Sequence, residues 1–434
     1  MARERAGQAG TGARFLLAAV AVGLVSGLAC VALSLVAGAA DKVHRSMPQT
    51  AALLPLLAAA TVLLYRVLSL PPDIATVTVV DESRKGRFVS WKIAPAILLG
   101  TAATLVGGGS VGKEAAALQM GAGISSALSR FVGTDEDEAR VFALCGMAAA
   151  FSALMFAPVA AALFVFEVVR PRVRGSRWLL ACIPVSSVVA YAVAAVFGVG
   201  RLWVAPVAPP QLETALFEAV LASVLCAFVG LAFVLALKLV RTVWSALFHD
   251  PLVRVVVGSV LVAAVLALPG AAAGSGLGAG NIEAALSGAE VGGADFAWKF
   301  ALTVLCLGVG LKGGEIMPVF CIGACLGSTL GVVTGSSPAF LAELGLIALF
   351  SACSCCPAAS FALGIEAFGV AGAPYFALAA LAGLLAGRTM SLYDTSAWDL
   401  RAYGGVLDRR EGLLRVPDRF KKDGRRAALK RFSE

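Results

Sequence analysis

The stretch Gly107-Gly-Gly-Ser-Val-Gly-Lys-Glu-Ala-Ala-Ala-Leu-Gln-Met-Gly-Ala-Gly123 decides how the chain is read. Apolar segments flank it on both sides. Glu114, beside Lys113, falls where the chain should lie in lipid. An ionisable side chain at that depth is costly and marks a functional site by default. The glycines ahead of it permit tight turns, and Ala115 to Leu118 then start a helix. The free N–H groups of such a helix face whatever lies in front of it, which makes a generic anion site. Broken helices aimed at an anion near the membrane midplane are a transporter device.

Composition sets the class. Of 434 residues, 59% are hydrophobic and 14% charged, against about 25% charged in soluble domains. The charges cluster and leave long apolar runs between them. The expectation is an all-α polytopic membrane protein, and the 47 glycines fit broken or closely packed spans. The net charge of +8 has a location: residues 401–434 hold eleven Lys/Arg and five Asp/Glu, and Arg3, Arg5 and Arg14 stand near the start. Positive-inside orientation then puts both termini in the cytoplasm with an even number of crossings, and a nucleic-acid partner is not expected. Residues 1–240 read as a first half, 241–399 as a second half and 400–434 as a basic cytoplasmic tail.

The ten cysteines all sit in apolar runs, where a thiol behaves as a small hydrophobe. Cys321-x3-Cys325 and Cys353-x-Cys355-Cys356 lack metal-site spacing, and His44 and His249 are far from them in sequence. No metal, cofactor or enzymatic constellation is expected.

Residues 15–40 form an apolar run after Arg14. The run exceeds the usual h-region of a signal peptide, about 7–15 residues, which favours a first membrane span. A polar loop at 41–50 leads to a second span. Residues 71–92 are the least membrane-like part of the first half, with a β-prone run at 76–80. Residues 94–106 are too short to cross and read as re-entrant or broken. The acidic stretch 134–140 reads as a solvated linker. Pro158 interrupts the apolar run 146–169. Arg170, Arg172, Arg174 and Arg177 mark a cytoplasmic loop, and 201–212 a linker at the membrane surface.

The second half repeats the first. Phe151-Ser-Ala-Leu-Met-Phe-Ala-Pro158 matches Phe350-Ser-Ala-Cys-Ser-Cys-Cys-Pro357, and a glutamate follows each proline by nine positions, Glu167 and Glu366. The offset from Phe151 to Phe350 is 199 residues; from Gly121 to Gly323, in the partner motif Gly313-Gly-Glu-Ile-Met-Pro-Val-Phe-Cys-Ile-Gly323, it is 202. Two separate matches at nearly one offset argue for internal duplication over chance similarity among Ala- and Gly-rich segments, and transporter folds place their site between such repeats. Gly107-x4-Gly112-Lys113 resembles the start of a P-loop, but Glu114 stands where a magnesium-binding Ser or Thr belongs. Gly274 to Gly280 lacks Rossmann spacing and reads as a helix-breaking membrane loop. Glu315 is a second acid beside a glycine turn. Glu167 and Glu366, at helix ends, read as structural hydrogen-bonding groups.

Taken in order, these motifs resemble the CLC family of chloride channels and anion/proton antiporters. Gly112 to Gly121 is similar to its gating-glutamate motif, Gly146 to Glu167 to its following helices, and Gly313 to Gly323 to its second-half anion motif. Tyr393 falls where the inner-gate tyrosine belongs. Three departures resemble the bacterial fluoride/proton antiporter branch. Val168 stands where proton-coupled chloride members carry a second glutamate. The first-half Gly-Ser-Gly-Ile-Pro signature is absent, with Pro71 to Val80 roughly in its place. Glu315 replaces an apolar residue. Met317 departs from that branch's threonine. The resemblance implies a homodimer of inverted repeats in the cell membrane that exports fluoride in exchange for protons; a chloride channel or chloride/proton antiporter of the same fold is the alternative. It further implies that Glu114 carries the proton and gates the path, with Glu315 as its second-repeat partner. Gly112, Lys113, Ala115, Ala116, Met317, Val319, Phe320 and Tyr393 would contact the anion.

Overall fold

The computed structural model describes residues 2–85, 87–132, 136–169, 180–199 and 212–393. The arginine-rich loop after Val169, the linker from 201 to 211 and the basic tail lie outside them. The described residues form helices and connecting turns, with no strand among them. The first half holds α1 (Ala2–Ser46), α2 (Leu54–Val67), α3 (Thr76–Arg84), α4 (Ile93–Val106), α5 (Glu114–Val132), α6 (Glu136–Met155), α7 (Pro158–Val169) and α8 (Cys182–Val196). There follow α9 (Leu212–Leu247), α10 (Pro251–Leu266), α11 (Ala279–Ser287), α12 (Asp295–Val309), α13 (Ile316–Thr334), α14 (Pro338–Ser354), α15 (Pro357–Phe368) and α16 (Ala373–Gly387). The division expected at residue 240 falls inside α9.

Among the described residues, six helical segments, in α1, α2 with the 3₁₀ turn before it, α6, α9, α13 and α16 with the 3₁₀ turn before it, are long and apolar enough to cross a bilayer. Six more apolar helices, α4, α7, α8, α10, α14 and α15, are too short to do so, since a full crossing takes about 20 residues. Such broken spans are tolerated only where protein covers their polar ends. Large apolar side chains face outward on α1, α2 and α9, among them Leu17, Val67 and Phe217. On a soluble protein they would be a liability; on this one they meet lipid.

Three stretches differ from expectation. Residues 41–46 continue α1 instead of forming a loop. Their polar groups are bonded where they stand: Arg45 pairs with Asp41 at 2.8 Å, Asp41 also accepts the Leu277 N–H at 2.9 Å, and His44 meets Thr50 at 3.0 Å. The β-prone run at 76–80 is helical in α3. Packing on α5 and the Gln119–Thr76 hydrogen bond, 3.0 Å, override strand propensity there. The acidic stretch is helical from Glu136 onward, where α6 begins, as the acid-loving N-terminus of a helix allows.

The duplication read in the sequence is physical. α5 packs on α6 and α13 on α14. Gly121 meets the Gly146 carbonyl so closely that a Cβ would collide with it, and Gly323 meets Gly345 in the same way. α6 ends at Phe156 with φ 56° and α14 at Cys355 with φ 54°, both left-handed and neither glycine. A proline two residues later restarts each helix, at the position where a missing N–H costs nothing. The two glutamates then exchange partners. Glu167 accepts the N–H groups of Ala358 and Ala359 at 3.1 and 2.8 Å. Glu366 accepts those of Val159 and Ala160 at 2.9 and 2.8 Å. Each half thus caps the free helix terminus of the other.

Glu366→Ala leaves the first turn of α7 without its acceptor. It should lower stability by about 1–3 kcal/mol, with Glu366→Gln milder, read as the thermal unfolding midpoint of purified protein.

Candidate functional site

Two glycine turns meet at the middle of the fold. Gly112 donates its N–H to the Gly314 carbonyl at 2.6 Å, and Gly314 returns the bond to Gly112 at 2.7 Å. The chains cross this bridge antiparallel. It brings the N-termini of α5 and α13 together. Side chains would prevent the approach: a Cβ on Gly112 would stand 2.7 Å from Met317 Cβ and 2.9 Å from a Glu114 oxygen, and one on Gly314 would stand 2.8 Å from Ala115.

Glu114, the first residue of α5, is wholly buried at this junction. Its Oε2 accepts the Lys113 N–H at 3.1 Å. Its Oε1 has no hydrogen-bond partner. The side chain therefore acts as a tethered anion, held where two helix N-termini converge. Protonation removes the charge that holds it there. A half-satisfied buried carboxylate is expensive. The Lys113 ammonium turns away, to Ser34 on α1 at 2.6 Å; Lys113 serves this junction by its backbone.

Glu315 lies just ahead of α13, and its carboxylate accepts the Tyr393 hydroxyl at 2.9 Å. Tyr393 is buried, on a segment tied to the end of α14 by the Leu392 N–H to Cys353, 2.7 Å. Its ring meets Phe164 at 5.8 Å. Phe164 stacks on Phe350 at 5.9 Å, and Phe350 meets Phe320 at 5.0 Å. Phe320 and Tyr393 are thus joined through a chain of buried rings. Phe350, in that chain, and Phe151, against Phe164 at 4.7 Å, are the phenylalanines of the duplicated motif.

The structure brings Gly112, Glu114, Met317 and the Lys113 backbone into one junction, with Ala115 and Ala116 in the buried first turn of α5. The N–H of Ala117 is taken up by Lys113 at 2.9 Å. Val319 is the exception. Its N–H donates to the Glu315 carbonyl at 3.1 Å, so that amide is spent inside the helix. Sequence reasoning missed several polar groups around the junction. Ser110 bonds Thr303 at 2.8 Å, and the wholly buried Lys299 donates to Gly276 at 2.6 Å. Lys312, beside the second glycine turn, is also buried. The available signal was the lone lysine within the apolar run of α12.

This is a polytopic membrane protein with an anion-type site between duplicated halves. Residues 57–388 match the voltage-gated chloride channel family, and the chain belongs to this CLC family of anion channels and anion/proton antiporters. A chloride/fluoride channel protein of Pseudomonas syringae pv. tomato is 30% identical over 88% of this chain and 86% of its own. An H+/Cl− exchange transporter of Vibrio campbellii is 25% identical over 66% and 64%. Among solved structures, a CLC-type fluoride/proton antiporter superposes with TM-score 0.79 at 24% identity, over 88% of this chain and 97% of that one. A slow cyanobacterial Cl−/H+ antiporter superposes with TM-score 0.74 at 19% identity, over 86% and 94%.

Gly112→Ala should push Glu114 from the junction without removing it. The added Cβ would also stand 2.7 Å from Met317 Cβ, so the expected outcome is reduced anion flux together with a lower thermal midpoint, checked by vesicle efflux and thermal unfolding of the same preparation.

Proposed function

We propose that the protein exports fluoride across the cell membrane in exchange for protons, with Glu114 as proton carrier and gate. The observation that carries this reading is the buried Glu114 carboxylate at the junction of the α5 and α13 N-termini, one oxygen on the Lys113 amide and the other unpartnered. An anion arriving at those amides displaces a like charge. A proton on Glu114 lets the side chain withdraw, and its return closes the path. Exchange follows because the Glu114 carboxylate and the anion compete for one place.

Glu315 supports the fluoride reading over the chloride one. It puts a second acid, held by Tyr393, beside the path, where it can receive or position the withdrawn Glu114. Fluoride is small and strongly hydrated, so close hydrogen bonds must offset its desolvation. The backbone amides of residues 113–116 and of Met317 are suited to that; the Gly112 amide is already taken by Gly314. Phe320 and Tyr393 would line the inner path. The 30% identical relative bears both anions in its name, which keeps a chloride channel or chloride/proton antiporter as the second reading.

The working unit would be a homodimer in lipid. An apolar groove between α7 and α15, lined by Val159, Leu163, Phe361 and Ile365, suits a second copy. The basic residues of the 170–177 loop and of the tail favour a cytoplasmic placement for both ends of the chain.

Purified protein in vesicles, loaded with fluoride or chloride and assayed with and without a pH gradient, tests the proposal. Fluoride efflux should drive proton uptake, and chloride should move more slowly. Glu114→Gln should abolish coupled proton movement; undiminished proton flux in that variant would refute the gate. Equal rates for the two anions would favour the second reading.

A further inference from the structure

The Glu114 carboxylate folds back over the residue before it. Its Oε2 stands 3.1 Å from the Lys113 nitrogen, within the sweep of that lysine's flexible four-carbon stem. Its Oε1 is buried without a partner. Among the described residues, Lys113 is the charged side chain that acts on Glu114, and Glu114 the acid that acts on Lys113. A salt bridge would satisfy both groups, yet the two do not pair. The ammonium donates to the Ser34 hydroxyl oxygen at 2.6 Å instead.

Ser34 lies on α1, which packs on α5, and both Ser34 and Lys113 are buried. Cys30, one turn earlier on α1, is the other titratable group facing the ammonium, and it too is wholly buried. A neutral hydroxyl is a weaker acceptor for an ammonium than a carboxylate is. The weaker acceptor holds the lysine because α1 places it along the stem. The consequence falls on the acid. An ammonium on a carboxylate favours its charged form, and a buried ion pair is costly to break. A Glu114 bridged to Lys113 would resist both protonation and withdrawal. With Lys113 on Ser34, it is spared that lock.

We propose that Ser34 is a positioning residue for the gate: it holds the Lys113 ammonium off Glu114 and so leaves that acid free to take up and release a proton. The inference rests on the reading of Glu114 as proton carrier given above. Ser34 acts only through Lys113, so its effect exists only while the ammonium does.

The test uses that dependence. Initial rates of anion efflux from vesicles of purified protein are measured against pH, with fluoride and chloride in separate series and the thermal midpoint of each preparation alongside. The variants are Ser34→Ala, Ser34→Cys, Ser34→Thr, Lys113→Met and the double variant Ser34→Ala/Lys113→Met. Ser34→Ala frees the ammonium for Glu114; it should move the pH of half-maximal efflux down by about one unit, with a rate about tenfold lower at neutral pH. Ser34→Thr keeps the hydroxyl and should stay within about twofold of wild type. In the Lys113→Met background, Ser34→Ala should change neither value, because no ammonium is left to move. An unshifted pH profile in Ser34→Ala, or an equal shift with and without the lysine, would mean that Ser34 only packs α1 on α5, and the proposal is overturned. Ser34→Cys, a poorer acceptor of the same shape, should move the profile part of the way, and it decides alone if Ser34→Ala does not fold. Wild-type protein that moves neither anion, or moves them independently of pH, would defeat the reading of Glu114 itself, which is a different result.

Discussion

The exchange of two backbone hydrogen bonds between Gly112 and Gly314 fixes everything around it. It joins the halves where each has a helix beginning and no side chain in the way. The N–H groups of α5 and α13 are left facing one small volume. In lipid such groups cannot stay bare. They need an acceptor, and the Glu114 carboxylate takes the Lys113 N–H. The acid, the glycines and the short helices form one arrangement, because removing any of them leaves buried polar groups unpaired.

The two sides of the junction differ in a way that suits exchange. Glu114 holds the Lys113 amide and keeps one oxygen unpartnered. Glu315 holds a tyrosine hydroxyl instead, and behind it lies a packed chain of aromatic rings. One acid has an oxygen without a partner; the other is held by a hydroxyl. Lys113, Lys299 and Lys312 are also buried, with their ammonium groups on neutral oxygens.

Much of this was legible in the sequence. Glu114 after its glycines, the repeated Phe-Ser-Ala, and prolines at matching offsets pointed to a duplicated transporter with its site at the repeat interface. What was not legible depends on tertiary contact. The 76–80 run is β-branched and became helical because α5 offered Thr76 a partner. Residues 41–46 read as polar loop, yet their charges find partners at 277 and 50, which no local pattern shows. Val319 fell inside the right motif, but counting helix hydrogen bonds was needed to see that its amide was taken. Lys113 sits beside the key acid in sequence while its ammonium reaches α1 instead. Charge alone does not reveal where a long side chain ends.

The crossed capping of α7 and α15 bears on how such a chain could arise. Each half carries a helix end that lacks an acceptor and a glutamate that supplies one, and the two features are complementary between copies. A contact of that kind is self-complementary in a two-fold pair. A single ancestral half could therefore have closed on a second copy of itself, with both glutamates satisfied from the outset. Gene fusion would then only have had to link two molecules that already fitted.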